Sequence, residues 1–291
     1  GGALPVKFPQ GKFYVNDKII LPRERNVISI LHDIDLNGCN IIGLVHSGGS
    51  NYPVIARLKS DIDVVYAGAS DPAGVNITAT RIKIYNGSIT GPNKNFVDRN
   101  NATKCLQLQC LYNPIVQNIS FGTAGVCLSM QFCLNADVRN NLYGSFKYGL
   151  RLTSTLGYTG FSTTGSGQGQ SNASTIFKDR FYCTDTTGTA LEVSSSNMVT
   201  IQECIIEGGA ILHGIHIIGN SDNTVNHIKI NTLHLEVADN GTNEGIVGAG
   251  IRVSSWNGGD VYIEHIYYQY SGACFSKSRS AWTNTSGATD G

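Results

Sequence analysis

IQECIIE at residues 201–207 and HGIHIIG at residues 213–219 together make one two-part phrase. The first part is a short strand, a polar break and another short strand; the second is a small residue followed by an alternating strand. Alternation puts Ile201, Cys204 and Ile206 on one side and Gln202, Ile205 and Glu207 on the other, with a bend around Glu203. The first part returns as VQNISFG from Val116, VRNNLYG from Val138, FKDRFYC from Phe177, INTLHLE from Ile230 and IEHIYYQ from Ile263. The second returns as GVCLS, YGLRLTS, TALEVSS, AGIRVSS and GACFS.

Successive first parts start 22, 39, 24, 29 and 33 residues apart, so the strands keep their length while the connections vary. That is the behaviour of a solenoid with loops of free length. One such coil cannot bury its apolar side alone, whereas stacked coils bury a continuous core. RIKIYNGSITG and NVISILHDIDLNGCNIIGL fit earlier coils more loosely. An antiparallel sandwich would instead join strands of similar length by hairpins of about two to five residues. Here the Asn-Gly pairs at 86–87 and 240–241 fall within phrases, and the connections are unequal. The expected fold class is all-β, a parallel β-helix spanning residues 1–280 as a single domain, with 281–291 a polar tail leading out of it.

Composition agrees. Charged residues are only 14% of the 291, Lys+Arg and Asp+Glu are 21 each, and 34 residues are Gly. A balanced, weakly charged chain lacks the basic footprint of a nucleic-acid binder. Its 41% hydrophobic content argues against disorder. No apolar run approaches the roughly 20 residues needed to cross a bilayer, so membrane insertion is not expected. The first residues, GGALPVKFPQGKFYV, lack signal-peptide character and read like the interior of a fold. The eight cysteines match no zinc-ligand spacing and sit in strand-like runs, as packed thiols do. No metal or cofactor is expected. Sequons such as Asn76-Ile-Thr are what this much Asn, Ser and Thr produces by chance.

FPQGKFYVNDKIILP at residues 8–22, followed by Asn40-Ile41-Ile42-Gly43, resembles the opening coil of the pectate-lyase-like right-handed parallel β-helix proteins. Within that superfamily the chain is most similar to bacteriophage tailspikes and related depolymerases. The resemblance implies a right-handed winding, a homotrimer, a place in the virion as a tail spike, and bacterial surface polysaccharide, capsule or O-antigen, as the partner and substrate.

Stacked coils bring equivalent residues within about 4.8 Å, so outward side chains form ladders. With the phrases in register, Glu207 and Glu236 share one outward position on successive coils. Like charges that close favour a shared proton, the condition for a general acid beside a carboxylate base or nucleophile. Glu192 and Asp179 are further candidate carboxylates. The opposing expectation is that both glutamates are solvated and paired with nearby bases, and that the place of Glu203 at a bend serves backbone hydrogen bonding, as Asn118 and Asn140 would.

The second strands predict another outward ladder: Cys127, Arg151, Glu192, His216 and Arg252. It reads either as an ion-pair spine or as a groove in which arginines grip sugar. Five of seven histidines fall between His213 and His265, yet without metal-ligand spacing. His234 and Tyr267 are expected on one surface, and Trp256 in VSSWNGGD is placed to stack on a sugar or to pack a loop. Leu142, Phe181 and Ile205 are expected to form an outward apolar stripe suited to a subunit interface. TLGYTGFSTTGSGQGQSNAS at 155–174 reads as a surface excursion beside the groove, not a phosphate loop.

Three functions fit. The first is an endo-glycosidase with Glu207 and Glu236 as acid and base and Arg151, His216, Arg252, His234, Tyr267 and Trp256 holding sugar. The second is a polysaccharide lyase using Arg151, His216 and Arg252 for β-elimination. The third is a β-helix that binds glycan without cleaving it.

Overall fold

The computed structural model describes residues 6–21, 29–30, 33–44, 53–57, 79–80, 82–96, 102–153, 171–194, 196–219, 225–237, 245–254, 260–269 and 273–277. Strand segments run from two-residue pairs such as Val6–Lys7 to Ile115–Leu134, which continues through bends from one side of a coil to the next. Every ladder between named strands is parallel, and each links a strand to one from a neighbouring coil. Among the described residues the single isolated antiparallel bridge is Phe96 with Ala102. A chain whose strands pair in parallel across these intervals, coil upon coil, is a parallel β-helix.

Three columns of apolar residues fill its interior. The first runs Val6, Ile34, Ile84, Val116, Val138, Ile176, Ile201, Ile230, Ile263. The second runs Phe13, Ile41, Ile89, Phe121, Tyr143, Phe181, Ile206, Leu235, Tyr268. The third runs Ile19, Ile55, Leu106, Leu128, Leu150, Leu191, Ile215, Ile251. Both ends of the first two columns are only partly covered or exposed, while the middle members are buried. In-register stacking lets flat rings lie face to face: Phe121 and Tyr143 stack at 5.1 Å, Tyr143 and Phe181 at 4.4 Å.

The bend between the first and second columns falls two residues after the first-column residue. Asn86, Asn118, Asn140, Lys178, Glu203, Thr232 and His265 occupy it, all with φ between 51° and 62°. Asparagine accepts this left-handed conformation most readily, and it fills the three earliest of these positions. Glu203 is therefore a bend residue, paired with Lys178 at 3.4 Å. Another corner is tied by side chains: the Asn197 N–H donates to Asn172 Oδ1 and the Asn226 N–H to Asn197 Oδ1. Cys39, Cys105, Cys127, Cys133 and Cys204 are buried thiols.

The register corrects three sequence-based expectations. The phrase expected from Phe177 starts at Ile176, because Ile176 pairs with Val138 and Ile201. That one-residue slip turns Phe181 inward, 0% exposed, and gives its expected outward place beside Leu142 and Ile205 to Arg180. Cys127 is also interior; Ser129 is the residue that pairs with Arg151.

Candidate active site

On the outside of the second column two parallel rows of side chains lie next to each other. One row is Tyr182, Glu207, Glu236 and Gln269, each the register partner of the next. The other is Leu142, Arg180, Ile205, His234 and Tyr267. The alternation that buries Phe181, Ile206, Leu235 and Tyr268 obliges the residue on either side of each to face out. The structure thus brings Glu207 and Glu236 together on adjacent coils, as the phrase alignment requires, and sets His234 and Tyr267 beside them.

Specific contacts organise the strip. His234 Nε2 lies 2.9 Å from Glu236 Oε2. The His234 ring stacks on Tyr267 at 4.6 Å and 22°, and the Tyr267 hydroxyl donates to Gln269 Oε1 at 2.7 Å. Arg180 Nε lies 4.0 Å from Glu207 Oε1, an ion pair too long for a hydrogen bond. Tyr182 and Tyr267 are 52% and 54% exposed; Tyr182 ends the row of carboxylates, and Tyr267 ends the neighbouring row, level with Gln269. Flat exposed rings flanking a pair of carboxylates are suited to holding sugar faces, and two adjacent carboxylates are suited to acid–base or nucleophilic work at the bond between them. Tyr182 and Arg180 were missed from the sequence; aligning IFKDRFY, rather than FKDRFYC, with IQECIIE would have found both.

Asp179 does not join the strip. The same corrected register makes it the counterpart of Cys204, and it is 0% exposed. Its Oδ1 accepts the Asn141 backbone N–H at 2.9 Å and its Oδ2 the Tyr143 hydroxyl at 2.8 Å. Burial pushes its acid up to about 7 even though these hydrogen bonds favour the carboxylate. Burial, with Asp179 next, holds the Tyr143 phenol well above its ordinary range, so Tyr143 stays a donor. Asp179 is a polar knot inside the solenoid, out of reach of a polymer.

The third-strand ladder forms in register as Gln107, Ser129, Arg151, Glu192, His216 and Arg252. Its first four members are covered, while His216 and Arg252 are half-buried. Arg151 is 6% and Glu192 3% exposed, and Arg151 Nη2 donates to Glu192 Oε1 at 2.6 Å. The Arg151 guanidinium also lies over the rings of Tyr148 and Phe96, at 4.6 and 5.3 Å. Burial above all, then His213, Arg252 and Arg151, pushes His216 down to about 3. It is a neutral imidazole whose Nε2 meets Ser254 Oγ at 2.8 Å. His213, lowered chiefly by burial, lies 4.9 Å from it and accepts the Ala249 N–H. In this ladder Arg151 and Glu192 act on each other, an ion-pair spine rather than an open groove.

Trp256, the loop residues 155–170 and the tail from 278 lie outside the described residues. Among the described residues no group of three or more His, Cys, Asp or Glu could hold a metal ion, and no helix is long and apolar enough to cross a membrane.

No protein-family model and no curated protein matches the chain. Solved structures with a similar fold include PfbA, a surface adhesin of Streptococcus pneumoniae, at 12% identity over 98% of this chain and 89% of the adhesin, TM-score 0.41. They also include the catalytic domain of a GH87 α-1,3-glucanase in complex with nigerose, at 14% identity over 95% of this chain and 64% of the glucanase chain, TM-score 0.33. At such distances function rests on the chain's own residues.

Proposed function

We propose that the chain is a glycan-cleaving parallel β-helix, an endo-glycosidase acting on bacterial surface polysaccharide through Glu207 and Glu236. The observation that carries this reading is the placement of the two carboxylates as direct register partners on the exposed strip. Adjacent coils are about 4.8 Å apart. Carboxyl groups that keep this backbone spacing lie nearer the roughly 5–5.5 Å of retaining glycosidases than the roughly 6.5–9.5 Å that an inverting water requires. On that basis the proposed reaction is a double displacement: one carboxylate attacks the anomeric carbon while the other protonates the leaving oxygen, and water then releases the glycosyl ester. Tyr182, Tyr267 and Arg180 hold the sugars on either side.

The opening motif at residues 8–22 supports a finer reading: a right-handed solenoid working as a homotrimeric tail spike of a virion. The lyase alternative draws less support, because Arg151 is buried against Glu192. A binding-only β-helix is favoured by a separate observation: each glutamate already has a basic partner, Arg180 or His234.

Digestion of a panel of capsules and O-antigens separates the three. New reducing ends without the absorbance of unsaturated uronates, lost in Glu207→Gln and in Glu236→Gln, support the hydrolase. Absorbance rising with reducing ends refutes it in favour of elimination. Binding without cleavage refutes both enzymes.

A further inference from the structure

The two carboxylates are not equivalent, and their surroundings assign them different roles. Glu236 is met by an imidazole nitrogen at 2.9 Å, whereas among the described residues the base paired with Glu207 is Arg180 at 4.0 Å. The His234 ring has little freedom to leave: Tyr267 covers one face at 4.6 Å, and Tyr267 is itself tied to Gln269. A nitrogen so placed donates to a carboxylate, and a hydrogen bond to a charged acceptor is among the stronger ones in a protein. The contact also leaves Glu236 Oε1 clear of His234 and fixes the plane of the carboxyl group. Glu207, whose Arg180 partner stands beyond hydrogen-bond reach, keeps a carboxyl group that can turn between the leaving oxygen and water.

Resting on the hydrolase reading, we infer that Glu236 is the nucleophile, Glu207 the acid and then the base, and His234 a positioning residue that holds the Glu236 carboxyl group in place and aimed. In the first step Glu236 Oε1 bonds to the anomeric carbon, the glycosidic C–O bond breaks, and Glu207 gives its proton to the departing oxygen. In the second, water attacks the anomeric carbon, its proton passes to Glu207, and the ester C–O bond breaks to regenerate the Glu236 carboxylate. One glycosidic bond and one water are consumed, and nothing is oxidised or reduced.

The test uses the intact chain with a polysaccharide that the wild type cleaves, and sodium azide as the competing nucleophile. Glu236→Ala with azide yields a glycosyl azide of inverted anomeric configuration, because azide enters the vacated space. Glu207→Ala with azide yields the retained configuration, because azide intercepts the ester on Glu236. The opposite pattern, or azide product from neither variant, overturns the assignment while leaving wild-type hydrolysis as it stands. Wild-type silence across the panel overturns the hydrolase reading and the assignment with it.

For His234, His234→Ala lowers kcat about 10- to 100-fold with little change in KM, the loss expected for one hydrogen bond to a charged group. His234→Gln, which keeps an N–H donor, recovers a large part of it. A loss confined to KM, or no rescue by Gln in a variant whose thermal unfolding matches wild type, removes His234 from the mechanism.

Discussion

Replacing Asp179 by Asn should change how the stability of this solenoid depends on pH. Asp179 is buried, and its acid is raised from 3.8 to about 7. The sign follows from linkage. A folded-state value above the unfolded one means that the folded state binds the proton more tightly, so its stabilising effect is complete below pH 3.8 and is lost as pH rises through about 7. At about 1.4 kcal/mol per unit, ionisation of Asp179 costs the fold about 2 kcal/mol at pH 5 and about 4 kcal/mol at pH 8. Asn has nearly the same shape, can accept the Asn141 N–H through its oxygen, and never ionises. The Asp179→Asn protein should therefore gain on wild type by about 3 kcal/mol between pH 5 and pH 8. Urea unfolding followed by far-ultraviolet circular dichroism at several pH values gives this difference directly, and other titrating groups cancel in it. Parallel wild-type and variant curves over this range, or a variant that loses ground as pH rises, would refute the burial argument for Asp179.

His216 should act in the opposite sense: its folded value, about 3, lies below the ordinary 6.5, so stability is lost as pH falls below 6.5. The cost is about 2 kcal/mol at pH 5, and His216→Gln should abolish it in the same unfolding series. Glu192→Ala leaves Arg151 buried without its carboxylate and should cost about 3–5 kcal/mol; a cost near zero would mean that the spine is dispensable. Phe181→Ala opens the aromatic stack between Tyr143 and Phe146 and should cost about 3–5 kcal/mol in the same assay. Gly149→Ala drives a methyl to 2.6 Å from both the Ala190 carbonyl and the Phe181 ring, and should lower the unfolding midpoint by an overpacking cost of about 1–3 kcal/mol.

The repeat, and with it the parallel solenoid, was legible in the chain itself, because coil stacking demands the same inward residue at the same place in every turn. Ile201, Cys204 and Ile206 point inward for that local reason, and Glu207 and Glu236 meet on adjacent coils for the same one. Period-two alternation also makes register unforgiving. A single-residue slip at Phe177 put Asp179 among the candidate acids and Phe181 on the surface, and hid Tyr182 and Arg180. Only the ladder pairing Ile176 with Val138 and Ile201 resolves it. Alternation, in turn, says which side chains leave the core but not what lies over them. Arg151 and Glu192 point outward as read, yet they are buried against each other beneath the packing of Tyr148 and Phe96. Coverage of this kind, and the stacking of Tyr267 on His234, depend on contacts between residues far apart in sequence. Those belong to the tertiary structure alone.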